Sequence, residues 1–212
     1  MSDPSRHVVL LGDSIFANAA YTRGAPDVVT HLRRLLPPGH AATLCAVDGA
    51  TTAGIAAQLS RIPRDATELV LSVGGNDALQ NSHLLSLPVR TTRDTLTTFA
   101  DRLATFQRSY AAALDRVLDC ALPTVVCTIY NGALEPPEAT VARVALMMFN
   151  DVILQVACER RVDVIELRAV CTEPDDYANP IEPSNRGGRK IAGAVTRAIG
   201  ALPGPSPCRV WT

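Results

Sequence analysis

The sequence predicts an α/β fold, a three-layer α/β/α sandwich around a five-stranded parallel sheet. Three observations carry this reading. Short apolar runs without polar alternation recur five times, as strands covered on both faces require. Between them lie segments whose apolar residues are spaced by three and four, the pattern of helices with one buried stripe. The runs end in turns rich in Gly, Asp and Asn, which gives the β-α-β rhythm of a parallel sheet.

The first strand is Val8, Val9, Leu10 and Leu11 within HVVLLGDS, and it stops at Gly12, Asp13 and Ser14. Gly12 permits a tight turn and Asp13 can bond local backbone. Ser14 then stands at the carboxyl end of the strand, where open α/β sheets bind ligands, and is a candidate nucleophile. The same Asp-Ser pair also suits a plain helix N-cap. A helix follows from Asp27 until Pro37-Pro38-Gly39 stops it. Residues 42–47, ATLCAV, are the second strand, with the turn Asp48-Gly49-Ala50-Thr51 and a helix through Ile55 and Leu59 behind it. Residues 68–75, ELVLSVGG, form the third strand and deliver Asn76 and Asp77. A variable loop over 78–93 leads to a long amphipathic helix over 94–120, whose Leu96, Phe99, Phe106, Tyr110, Leu114 and Val117 mark its core face.

Residues 124–129, TVVCTI, are the fourth strand, followed by the proline-bearing loop NGALEPPEA. A helix over 138–161 has Val141, Val144, Met148, Val152 and Val156 on its apolar side, and its methionines are packing residues. The fifth strand is DVIELR, 163–168; a long loop through Tyr177 and NPIEPS precedes a last helix beginning near Gly187. The tail from Pro203 to Thr212 reads as loosely held.

A length of 212 residues suits a single domain over 1–212, with a core that needs neither disulfide nor metal. The net charge of −1 and the lack of a basic run argue against nucleic acid or an anionic membrane as partner. The start MSDPSRHVVLLG lacks the features of a signal peptide, and no later apolar run reads as long enough to span a bilayer, so a cytoplasmic protein is expected. Cys45, Cys120, Cys127, Cys158, Cys171 and Cys208 show no C-x-x-C spacing and read as buried thiols.

Four strand-end turns fall on one edge: GDS, DGA, GGND and NPIEPS. In this order they resemble the SGNH, or GDSL-type, hydrolase family, whose fold is flavodoxin-like, and the resemblance runs from Val8 to Ala192. It implies a Ser14 nucleophile, with Gly49 and Asn76 completing an oxyanion hole beside the Ser14 amide, and Asp13, Asp77 and Asn179 in supporting places. The chemistry fits, because acyl transfer needs a nucleophile next to donors aimed at the developing oxyanion. The implied substrate is a small ester or other acyl compound, with no cofactor and no metal. Asp13 and Asp77 read as turn-capping residues rather than metal ligands. There is no G-x-S-x-G elbow, glycine-rich phosphate loop or H-E-x-x-H.

The chain departs from the family in the last block. The family pattern Asp-x-x-His is replaced by Asn179-Pro180-Ile181-Glu182, so Glu182 holds the histidine's place and Asn179 the aspartate's. Three readings stand. In the first, Glu182 takes the Ser14 proton: a carboxylate is about two pKa units, roughly 3 kcal/mol, less basic than imidazole. Burial reduces that handicap, placing the ionisation at about pH 5 to 6. An amide at position 179 then avoids like-charge repulsion. In the second, His83 swings in from the loop beyond GGND, against the plain alternative of a solvated side chain. In the third, the protein is catalytically silent and binds its ligand without hydrolysis. Asp175 and Asp176, just before this block, read as solvated, with the alternative that one of them orients a site group.

Overall fold

Val8, Val9, Leu10 and Leu11 have no exposed surface, as a strand with helices on both faces demands. They form β1 (His7–Gly12) of the computed structural model, which describes residues 5–200 and 208–212. Along the chain follow α1 (Val28–Leu35), β2 (Ala41–Leu44), α2 (Ile55–Leu59), β3 (Glu68–Ser72), α3 (Gly75–Gln80) and α4 (Thr92–Leu118). Then come β4 (Thr124–Cys127), α5 (Glu138–Glu159), β5 (Asp163–Ile165), α6 (Leu167–Val170), α7 (Asn185–Gly200) and β6 (Val210–Trp211). All strands are parallel, in the order β2-β1-β3-β4-β5-β6. Val8 and Leu10 join α1 and α7 in one core, and Val9 and Leu11 join α2, α4 and α5 in the other. The period of two along one strand thus builds both layers.

The sheet has six strands, not five. Of the tail expected to be loosely held, residues 203–207 lie outside the described residues, while Val210 and Trp211 pair with Val164 and Ile165. The carboxylate of Asp163 holds this edge, accepting from the backbone N–H and the Nε of Arg209 at 2.9 Å each. Two residues carry no readable periodicity, so the strand was invisible in sequence.

Other boundaries move for local reasons. GGND is not a strand-end loop but opens α3, and the expected loop over 78–93 holds the end of that helix, a 3-10 turn, Ser82–Ser86, and the start of α4. The capping box of Thr91 and Asp94 starts α4 at Thr92. The expected fifth strand stops at Ile165 because the Glu166 side chain caps α6.

On α5 the expected apolar side is only half right: Val152 and Val156 are buried, whereas Val141 and Val144 are 45 % and 57 % exposed. Its length and composition would also let it cross a membrane, contrary to the sequence expectation, and here Phe149, Ile153 and Val156 pack it into the core. Cys45, Cys127 and Cys171 are buried thiols; Cys158 is exposed and Cys120 and Cys208 are half-buried. Asp175 is exposed as expected. Asp176 is not: it is fully buried, accepting from the N–H groups of Thr172 and Glu173 at 3.0 Å and from Lys190 Nζ at 2.6 Å.

Candidate active site

The end of β1 is set by a close backbone approach. A Cβ on Gly12 would stand 1.8 Å from the Ser72 carbonyl oxygen, and the residue's φ of +128° lies outside the range that L side chains favour. The Ser72 oxygen accepts from Asp13 N at 3.0 Å, and buried Gln58 bonds both polar groups of Gly12 at 2.7 Å. Behind this anchor the Asp13 carboxyl accepts from Ile15 N at 3.1 Å and the chain turns, leaving Ser14 8 % exposed at the strand's carboxyl end.

Glu182 reaches the same place from the loop before α7, and nearly every backbone group around it is held. Asn179 Oδ1 accepts from the N–H groups of Ile181 and Glu182 at 2.9 Å each, an Asx-type turn. The Glu182 carbonyl accepts from Ala178 N at 2.8 Å and the Ile181 carbonyl from the Tyr130 hydroxyl at 2.6 Å. Fully buried Asn18 donates to the Pro183 carbonyl at 3.1 Å and accepts from Val28 N at 3.0 Å, tying this loop to α1. Asn179 therefore shapes the backbone that carries Glu182.

The electrostatics follow from burial. Glu182 is 6 % exposed, and desolvation raises its pKa to about 7; the nearby Asp48 charge adds to the rise, while hydrogen bonding with Ser14 opposes it. Its Oε2 atom is buried with no hydrogen-bond partner. Asp13, 1 % exposed, is pushed up to about 8, mainly by burial and further by the charges of Glu182 and Asp77. Near neutrality Asp13 therefore keeps its proton and adds no second full charge beside Glu182.

Asn76 and Asp77 sit in the first turn of α3 and fasten the loop after β2. The Asn76 amide donates to the Ala50 carbonyl at 3.0 Å. Asp77 accepts from the Thr52 hydroxyl at 2.7 Å and from Thr52 N at 3.1 Å, so it ties α3 to the segment after β2 rather than capping its own turn. Gly49 holds the left-handed bend of that loop with φ +76°; it is exposed and not part of the cavity wall. His83 is not brought to the site. It is exposed, its Nδ1 lies 3.1 Å from the Gln80 carbonyl oxygen, and it is absent from the cavity lining.

Asp13, Ser14, Asn76 and Glu182 share one cavity of about 130 Å³. Beyond them Asn81, Ser82 and Asn131 also line it, and the rest of its wall is mostly apolar, made by α3, α4, α5 and the loop after β4, with Leu79, Phe99, Ile129, Leu146 and Phe149 among its residues. Gln58, Asn18 and the cavity itself escaped the sequence reading. Gln58 and Asn18 are ordinary polar residues there, and only their distant partners give them a role. Among the described residues no group of three His, Cys, Asp or Glu side chains could hold a metal ion.

Comparison with known proteins gives a consistent picture. A model of the GDSL-like lipase/acylhydrolase family matches residues 10–190. No curated protein sequence matches the chain. Among solved structures, an extracellular lipase from Streptomyces rimosus is similar with a TM-score of 0.67 and 16 % identity, covering 92 % of this chain and 100 % of that one. Phospholipase A1 from Streptomyces albidoflavus gives 0.68 and 16 %, covering 93 % and 100 %. The carbohydrate acetylesterase Est24 from Sinorhizobium meliloti gives 0.66 and 14 %, covering 93 % and 100 %. At these identities the likeness is one of fold.

Proposed function

Given that the chain belongs to the GDSL-like lipase/acylhydrolase family, we propose that it hydrolyses small esters through Ser14, with Glu182 as general base in place of the family's histidine. The observation that carries this reading is that Ser14 and Glu182 line one cavity, with Glu182 buried and its Oε2 atom unpartnered, a setting that raises its pKa to about 7. A general base works best when its pKa lies near the working pH. Burial gives a carboxylate the basicity that an imidazole has by nature.

In the first step the Ser14 oxygen bonds to the acyl carbon and its proton passes to the Glu182 carboxylate. The developing oxyanion is met by the amide of Ser14 and the side chain of Asn76, which line the cavity; the Gly49 amide, the third donor that the family resemblance implies, sits on the exposed bend beside the Ala50 carbonyl that Asn76 holds. The carbon–oxygen bond to the alcohol then breaks, and Glu182 returns the proton to the departing alkoxide. Water attacks the acyl-serine, giving its proton to Glu182, and the acid is released as Ser14 is reprotonated. Asn179 needs no charge here, because a carboxylate base has no ring to orient; its amide oxygen instead holds the Ile181 and Glu182 N–H groups.

The test is turnover of p-nitrophenyl esters together with labelling by a phosphonofluoridate. Ser14 should be the labelled serine, and Ser14→Ala should lose both turnover and label. Labelling at another serine, or full turnover in Ser14→Ala, overturns the reading.

A further inference from the structure

Resting on the ester-hydrolase reading, we propose that the cavity beside Ser14 takes the acyl half of the substrate, as a chain of about six carbons. An apolar cavity of about 150 Å³ holds a benzene-sized group, and the cavity here, about 130 Å³, has space of that order. Its apolar wall combines Phe99 of α4 with Leu146 and Phe149 of α5, and Ala145 leaves the space between them open. An acetyl group would leave most of this wall unfilled. A chain beyond about eight carbons would emerge over Leu79 and Leu85, which are 46 % and 45 % exposed.

The acyl half is the one that fits, because it stays covalently bound between the two steps while the alcohol must leave and water must enter. Outside the cavity lining, Glu182 has exposed polar neighbours. There Asp48 acts on the Glu182 carboxyl and accepts from the Tyr21 hydroxyl at 2.8 Å. The alcohol departs on that side, where Glu182 returns the proton.

The experiment measures kcat/KM for p-nitrophenyl acetate, butyrate, hexanoate, octanoate and dodecanoate, with binding of hexanamide and acetamide to the Ser14→Ala variant followed by NMR. Each buried methylene is worth about fourfold, so hexanoate should exceed acetate by at least about tenfold and dodecanoate should fall off. Ala145→Leu should reverse the hexanoate-to-acetate ratio, and hexanamide should bind where acetamide does not. Equal rates for acetate and hexanoate, or a preference that follows only the alcohol's length, overturn the proposal. Hexanamide binding in an enzyme that turns over no ester supports the cavity assignment and removes the serine mechanism instead.

A separate observation carries a second inference. The sulfurs of Cys158, at the end of α5, and Cys208, just before β6, lie 2.7 Å apart. We infer that the pair forms a reversible disulfide, driven by a low-molecular-weight disulfide such as oxidised glutathione. The exposed Cys158 thiolate attacks one glutathione sulfur and expels a glutathione thiolate. The Cys208 thiolate then attacks the Cys158 sulfur and expels the second. Two protein thiols are oxidised, one glutathione disulfide is reduced to two thiols, and the released protons end on these. The bond would fasten α5 to the chain entering the edge strand β6. Native protein treated with oxidised glutathione should yield a Cys158–Cys208 cross-linked peptide by mass spectrometry and a raised Tm, neither of which Cys158→Ser should show. Glutathione adducts on both cysteines without the cross-link would overturn it.

Discussion

Gln58 holds both polar groups of Gly12, accepting from its N–H and donating to its carbonyl at 2.7 Å each. Asn150 does the same at Ile129, at 2.7 and 2.8 Å, so the chain leaving β1 and the chain leaving β4, on either side of β3, are each held by a side-chain amide. The Gly12 carbonyl also accepts from Val47 N at 3.0 Å, which leaves the Gly12 N–H most dependent on Gln58. Gln58→Leu strands that buried donor and should cost about 1–3 kcal/mol in urea unfolding. Because Gly12 sets the direction of Asp13 and Ser14, kcat should also fall at least about tenfold. A stability loss with unchanged kcat would make the clamp purely structural.

For Asn76 the two roles can be separated. One N–H of its amide is used on Ala50, and the amide carries a second. Asn76→Ala should lower kcat by about a hundredfold, and the lost bond should cost only about 1 kcal/mol of stability. An unchanged kcat would remove Asn76 from the oxyanion hole.

The pH profile tests the base. Glu182 acts when ionised, so kcat/KM should rise with pH through about 7 and level off above it. This is higher than the pH 5 to 6 expected from sequence, because burial and Asp48 raise the pKa further. Glu182→Gln should nearly abolish turnover, and His83→Ala, altering an exposed residue off the cavity, should leave the profile in place. An inflection that disappears in His83→Ala would give the role to that histidine.

Asp13 makes a prediction about stability. Its folded pKa, about 8, lies above the unfolded value near 3.8. Between these values the unfolded chain has lost the proton that the folded chain keeps, so stability falls as pH rises, by up to about 1.4 kcal/mol per unit. Tm should decline from pH 4 to pH 8, and Asp13→Asn should flatten the decline. An identical slope in the variant would show that Asp13 ionises normally in the folded protein.

Where the chain's information is local, sequence was enough. The unbroken run Val8 to Leu11 already means a strand buried on both faces, and the spacing of Phe99, Phe106, Tyr110, Leu114 and Val117 gives the buried stripe of α4, although Leu96, at the same spacing, is 58 % exposed. The four polar turns also identified the edge and the family, because a parallel sheet presents all its strand ends on one side. What tertiary structure decided is what depends on distant neighbours. Glu182 and Asp176 are both acidic residues of one loop. The first becomes a buried carboxyl with an unpartnered oxygen and a pKa of about 7, and the second a fully buried anchor for Lys190. Neither fate is written in the residue's neighbours along the chain, since desolvation is set by whatever packs around the group. The same holds for Gln58 on Gly12, for Asn18 on Pro183 and for the cavity between α4 and α5: each joins segments far apart in sequence, and their meeting is fixed only when the sheet and its two helical layers close.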